Sequence, residues 1–141
     1  MLSVTHTPTQ DQLATVIAWN EIYLDCSLVA EDQDSVLFFL RDQQCIGYVE
    51  LEFSPEVIYI SWFCAPRNGS VCMELMLDYL ANKHDHRTAL ELNVGCQSFE
   101  HPKAVTARLN LYFKFGFKIL ETQWCGPGHV DLRMARWLKE K

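Results

Sequence analysis

Apolar and polar positions along the chain switch between a period near two and a period near 3.6, and the switches mark out the elements. Residues 2–6 read as a short first strand. Thr7-Pro8-Thr9-Gln10 reads as a helix start, in which Thr7 can cap, Pro8 fits the first helical position and Gln10 completes a capping box. Leu13, Val16, Ile17 and Leu24 give that helix an apolar stripe of about four turns. The acidic and polar run at 31–35 predicts a turn, Val36–Leu40 a strand, and Asp42-Gln43-Gln44 a hairpin turn. Ile46–Phe53 alternates, placing Tyr48, Glu50 and Glu52 on one face and Val49, Leu51 and Phe53 on the other. After the break at Ser54-Pro55-Glu56, the β-branched and aromatic run Val57–Phe63 predicts a central strand.

A loop at Ala65–Ser70 leads into a helix from about Val71 to Asn82, with Cys72, Met76, Tyr79 and Leu80 at helical spacing. Thr88–Val94 alternates as a strand, with Leu90, Leu92 and Val94 set against Glu91 and Asn93. Pro102 opens a helix to about Phe115, and Gly116 ends it as a glycine C-cap. The closing strands Lys118–Trp124 and Val130–Trp137 are joined by the turn Cys125-Gly126-Pro127-Gly128-His129. The order is strand, helix, three strands, helix, strand, helix, two strands. This is a mixed α/β (α+β) order and fits a doubly wound sheet poorly.

Length and charge narrow the function classes. The 141 residues suit a single domain spanning 1–141, without internal repeat or linker. A net charge of −6 repels phosphate backbones, so nucleic acid is not an expected partner. No run approaches the roughly 20 apolar residues of a membrane helix, and the N-terminus lacks a signal-peptide pattern. A cytoplasmic protein is the expectation. Six cysteines, at 26, 45, 64, 72, 96 and 125, form no C-x-x-C pair and match neither a zinc nor a disulfide spacing. They read as free thiols packed as small hydrophobes, with no metal site expected.

Two segments carry chemistry. Arg67-Asn68-Gly69-Ser70-Val71-Cys72 lies between the central strand and the next helix, where unpaired backbone N–H groups and the positive end of the helix dipole make an anion site. Leu109-Asn110-Leu111-Tyr112-Phe113-Lys114-Phe115-Gly116-Phe117 joins a helix end to an apolar strand. The first resembles the R-x-x-G-x-G/A pyrophosphate loop of the GNAT superfamily of acyl-CoA-dependent N-acyltransferases, with Ser70 in place of the middle glycine and Cys72 in place of the last small residue. The second resembles that family's L-x-x-Y-x-K-x-G-F segment, with Val105 where an asparagine is usual and extra residues at Phe99–Lys103. Asp131–Leu138 is a softer match to the family's last strand.

The resemblance implies a GNAT-like fold, a central mixed and mostly antiparallel sheet flanked by helices. It also implies acetyl-CoA or another acyl-CoA as co-substrate. Backbone groups of Trp62, Phe63 and Cys64, on a strand that splays from its neighbour in the family, would meet pantetheine. Arg67, Asn68, Gly69, Ser70, Val71 and Cys72 would meet the diphosphate. Tyr112 would lie near the thioester sulfur and protonate the leaving thiolate. Glu50, Glu52 and Glu91 are candidate bases for an amine acceptor whose size the sequence does not reveal, and a homodimer is compatible because many members dimerise. Alternatives from other classes are a catalytically inactive GNAT-fold binding or regulatory module and a thiol enzyme using Cys125 or Cys96 with His129 or His101. A metal site at His84-Asp85-His86 is a further alternative, weighed against an ordinary solvated turn.

Overall fold

The computed structural model describes residues 1–23, 35–83 and 87–138. Leu24, Cys26, nearly all of the turn expected at 31–35 and the segment His84-Asp85-His86 lie outside them. Among the described residues are seven strands and three helices. These are β1 (Leu2–Thr5), α1 (Gln10–Tyr23), β2 (Val36–Arg41), β3 (Gln44–Phe53), β4 (Val57–Cys64), α2 (Gly69–Asn82), β5 (Ala89–Gln97), α3 (Pro102–Lys114), β6 (Lys118–Trp124) and β7 (His129–Trp137). The strands hydrogen-bond in the order β1-β2-β3-β4-β5-β7-β6, and the element order is the one the periodicity predicts. The chain groups into two compact units, Met1–Glu52 with Ser61–Asp85, and Phe53–Ile60 with His86–Lys141.

In the first unit, β2 is antiparallel to both β1 and β3. Asp42 and Gln43 both have positive φ, 51° and 70°, the backbone of a two-residue hairpin turn whose twist matches its strands. A bulge at Phe39/Leu40 brings Gly47 opposite Phe39 and Cys45 opposite Leu40. Val36, Phe38, Leu40, Cys45 and Tyr48 then form one face, packed with Val16, Leu13 and Trp19 of α1. On the opposite face, Gly47 meets Cys72 of α2, which also buries Met73, Met76 and Leu80. With helices on both faces, β2 is buried along Val36–Leu40, which is why its sequence runs apolar instead of alternating.

Two details of α1 depart from the sequence reading. The capping box of α1 is Thr9 with Gln12, two residues later than expected. Gln12 N–H donates to Thr9 Oγ1 at 3.2 Å, and Thr9 N–H donates to Gln12 Oε1 at 2.9 Å. Ile17 is 50% exposed, because α1 touches the sheet through the narrower stripe of Leu13, Val16 and Trp19. Tyr48 is only 1% exposed and stacks on Phe38 at 6.3 Å, since α1 covers the face that β3's alternation alone would leave to solvent.

In the second unit, Val57–Ile60 of β4 runs parallel to Ala89–Leu92 of β5, and this ladder ends at Ile60↔Leu92. β5 pairs antiparallel with β7 along its whole length, and β7 pairs with β6. Ile58, Ile60, Leu90, Leu92, Val94, Phe117 and Met134 are buried. β6 is exposed throughout, and α3 has no fully buried residue.

Candidate functional site

The β4–α2 loop begins with a reversal that the backbone forces. Arg67 takes φ 63°, an uncommon conformation for a residue with a Cβ, and its side chain is exposed. Asn68 occupies the N-cap position of α2 without capping it. Its side-chain amide donates to the Pro66 carbonyl at 2.9 Å, and the first turn of α2 contains no acidic residue. The start of α2 thus lacks both devices by which proteins usually satisfy or neutralise a helix N-terminus.

The two substitutions in this loop differ in consequence. Cys72 is fully buried, and its thiol donates to the Ile46 carbonyl at 3.8 Å. A Cβ built at Gly47 would lie 2.7 Å from Cys72 Sγ and 3.0 Å from the Cys64 carbonyl oxygen. Gly47 therefore makes the room that Cys72 occupies, and the added bulk is absorbed in the core. Burial pushes the thiols of Cys45 and Cys72 up to about 11 and about 12, and raises that of Cys64 as well. Ser70 is half-buried on the first turn of α2.

Trp62, Phe63 and Cys64 form the last turn of pleat in β4, beyond the end of the β4–β5 ladder. Trp62 packs against the α1-facing core cluster, and its indole N–H is buried without a hydrogen-bond partner among the described residues. An unpaired buried donor of this kind costs on the order of 1–3 kcal/mol.

In the second unit, α3 ends as its sequence predicts. Gly116 has φ 88°, and the N–H groups of Phe115 and Phe117 both donate to the Tyr112 carbonyl at 3.1 Å. Arg136 Nε donates to the Phe115 carbonyl at 2.6 Å and pins this cap to β7. The Tyr112 ring meets Phe117 edge-on, with centroids 5.7 Å apart. Burial raises the phenol's pKa against a smaller opposing pull from Arg108, so Tyr112 is protonated at neutral pH. Arg108 is itself held by Glu100, at 2.8 and 3.2 Å, and by the Gly95 carbonyl at 2.8 Å.

The three candidate carboxylates separate clearly. Glu50 is half-buried, and desolvation raises its pKa. Glu52 is exposed. Glu91 accepts a hydrogen bond from Arg133 Nη1 at 2.9 Å, and Arg133 also reaches Glu121 at 3.3 Å.

No known sequence family matches the chain, and no curated protein matches its sequence. Solved structures do match along its whole length. An aminoglycoside 6'-N-acetyltransferase from Enterococcus faecium superposes with TM-score 0.71 at 11% identity, covering 100% of this chain and 98% of that one. An aminoglycoside 6'-N-acetyltransferase in complex with coenzyme A gives TM-score 0.70 at 16% identity, again covering 100% and 98%. An acetyltransferase of the GNAT family from Streptococcus pneumoniae gives 0.66 at 15%, covering 99% and 100%. The fold is that of the GNAT acetyltransferases.

Within a GNAT fold the rival readings can be placed. Among the described residues, no helix is long and apolar enough to cross a membrane. Cys45, Cys64 and Cys72 are free and buried, as expected, whereas Cys96 is half-buried and Cys125 is exposed. Of the proposed thiol–imidazole pairs, Cys125 and His129 do come together, along with Asp131, which sequence reasoning did not single out. Asp131 acts against a thiol enzyme. Its carboxylate bonds His129 Nε2 at 2.9 Å and also raises the Cys125 pKa, behind a larger desolvation effect, whereas a nucleophilic thiol needs a lowered one. A polar depression of about 500 Å³ is bounded by Thr9, Asp11, Gln12, Thr15, Gln43, Gln44 and Cys45, and none of the candidate site residues lines it.

Proposed function

We propose that this GNAT-fold protein is an N-acyltransferase that moves an acetyl or other acyl group from acyl-CoA to an amine. The observation that carries the proposal is the start of α2, uncapped by Asn68 and free of acidic side chains, with the bulk of Cys72 turned into the core against Gly47. Such a helix N-terminus suits a diphosphate. The backbone of Asn68, Gly69, Ser70, Val71 and Cys72 would meet that anion, with the Arg67 guanidinium beside it. Trp62, Phe63 and Cys64 would meet pantetheine through their backbone.

The chemistry needs no covalent enzyme intermediate. The amine nitrogen attacks the thioester carbonyl carbon, the C–S bond breaks, and the thiolate takes a proton from the Tyr112 hydroxyl. An alkylamine arrives protonated at neutral pH, so a base must first remove a proton. Glu50 is the best suited of the three carboxylates, because partial burial raises its affinity for that proton. The new amide nitrogen passes its remaining extra proton to the Tyr112 phenolate, and Glu50 releases the proton it took to solvent, so both groups return to their starting states. Bound acyl-CoA supplies the activated acyl group, and the acceptor is an amine.

Steady-state kinetics with acetyl-CoA and a panel of amines tests the proposal. Tyr112→Phe should lower kcat by about 10²-fold or more while leaving KM for acetyl-CoA within about twofold, since only the proton donor is lost. Unchanged turnover in Tyr112→Phe would remove that residue from the mechanism. Ser70, in place of the loop's middle glycine, favours a second reading as an inactive binding module, which predicts no turnover with any amine and no affinity for CoA.

A further inference from the structure

The turn between β6 and β7 gathers three donors that the acyl-transfer proposal does not use. Cys125 Sγ, His129 Nε2 or Nδ1 and an Asp131 carboxylate oxygen lie within 4.8 Å of one another. We propose that Cys125, His129 and Asp131 bind a borderline transition-metal ion of the Zn²⁺ class, as three protein ligands with a fourth position open to water.

The chain is shaped for this arrangement. His129 and Asp131 are two residues apart on β7, so both side chains leave the same face of the strand. Cys125 returns to them because Gly126 and Gly128 adopt φ 121° and 73°, a reversal that residues with a Cβ rarely make. The turn is braced by backbone bonds, Cys125 N–H to the His129 carbonyl at 2.9 Å, His129 N–H to Gly126 at 3.1 Å and Ser98 N–H to Gly128 at 2.7 Å. The donors are thus held before any ion arrives. Across the ladder from Asp131 stands Gly95, where a Cβ would lie 3.3 Å from Asp131 Oδ1 and 3.5 Å from His129 Nε2. A residue larger than glycine would crowd the space beside the ligands.

The donor set fits the ion. Zn²⁺ takes sulfur at about 2.3 Å and nitrogen or oxygen at about 2.0–2.2 Å, so tetrahedral ligands stand roughly 3.4–3.6 Å apart. His129 Nε2 and Asp131 Oδ1, now hydrogen-bonded at 2.9 Å, need to part by only about half an ångström. Thiolate, imidazole and carboxylate together bring two negative charges to a dication, which leaves a neutral site. The thiol proton leaves to solvent as the metal–sulfur bond forms. Thiolate with imidazole selects Zn²⁺, Co²⁺ or Cu²⁺ over Mg²⁺ or Ca²⁺.

Co²⁺ titration of the chelator-treated full-length protein is the test, with Zn²⁺ as competitor. The expected result is one equivalent bound, with the strong visible bands of four-coordinate cobalt, a thiolate-to-cobalt charge-transfer band, and displacement by Zn²⁺. In the unmutated protein, Zn²⁺ should slow alkylation of Cys125 at least tenfold while leaving Cys96 unaffected. Cys125→Ser should abolish the charge-transfer band, and His129→Ala or Asp131→Asn should weaken binding at least tenfold, with circular dichroism unchanged. Absence of one-to-one binding at millimolar Co²⁺, or a charge-transfer band that survives Cys125→Ser, would overturn the proposal.

Discussion

Two glycines, Gly47 in β3 and Gly95 in β5, show how differently the two units tolerate change. Gly47 lies in a sheet covered on both faces, and a methyl group there would run into Cys72 Sγ at 2.7 Å and the Cys64 carbonyl at 3.0 Å. Gly95 lies in a sheet with one polar, open face, and the same methyl group would meet only side-chain atoms at 3.3 and 3.5 Å. The first unit matches few letters of the GNAT loop but encloses the residue that differs, Cys72, completely. The second keeps the letters of the Leu109–Phe117 segment on a helix with no fully buried residue. Likeness to a motif's letters and tightness of packing are therefore separate properties, and each unit displays one of them.

The largest effect expected from this contrast is at Gly47. Gly47→Val should destabilise the protein by about 1–3 kcal/mol through overpacking, read from urea unfolding midpoints. Gly95→Ala should cost less than about 1 kcal/mol, within the range of strand propensities. Adding Cys72→Gly should restore part of the loss at position 47 and none at 95. If the two glycines respond alike, the difference in enclosure has no energetic meaning.

Alkaline pH should also single out the first unit. An ordinary thiol titrates at 9.0, but the folded chain holds the Cys45 and Cys72 protons to about 11 and about 12. Between these values the unfolded chain has fewer protons bound than the folded one, so stability falls as pH rises. Unfolding free energy should be level up to about pH 9 and then decline, and Cys45→Ala with Cys72→Ala should flatten the slope. Removal of the Thr9–Gln12 capping box by Thr9→Ala should cost about 1 kcal/mol, because Gln12 also anchors the β2–β3 turn through the Gln43 carbonyl at 2.8 Å. Arg133→Ala, on the open face, should leave the unfolding midpoint unchanged although it breaks two ion pairs, since exposed pairs contribute little.

Much of this was legible in the sequence, for identifiable reasons. The helices and alternating strands announced themselves by period, β2 and β4 by apolar and β-branched runs, and Asp42-Gln43, Pro102 and Gly116 mark their turns and caps because special backbone angles select special residues. The α1 cap was read two residues early because Thr7 and Thr9 both head a plausible box, and only the contact of Gln12 with Gln43 selects the second. The burial of Tyr48 is not in the alternation, which assigns faces but cannot register a helix laid over one of them. The complementarity of Gly47 and Cys72 joins positions 25 residues apart, and no local pattern contains it. The Cys125–His129–Asp131 group was accessible in principle. Its signal is a glycine-rich turn that leads into a strand with donors at i and i+2.

Calorimetric titration of acetyl-CoA into the protein and into Ser70→Glu tests the reading of the α2 N-terminus most directly. A carboxylate in the first turn should hold or raise helix stability through the dipole while repelling a diphosphate bound there. Micromolar binding to the unaltered protein, weakened at least tenfold in Ser70→Glu with no loss of unfolding free energy, is the expected result. Equal affinity in both proteins, or no heat at millimolar acetyl-CoA, would contradict the assignment of this helix start as the diphosphate site.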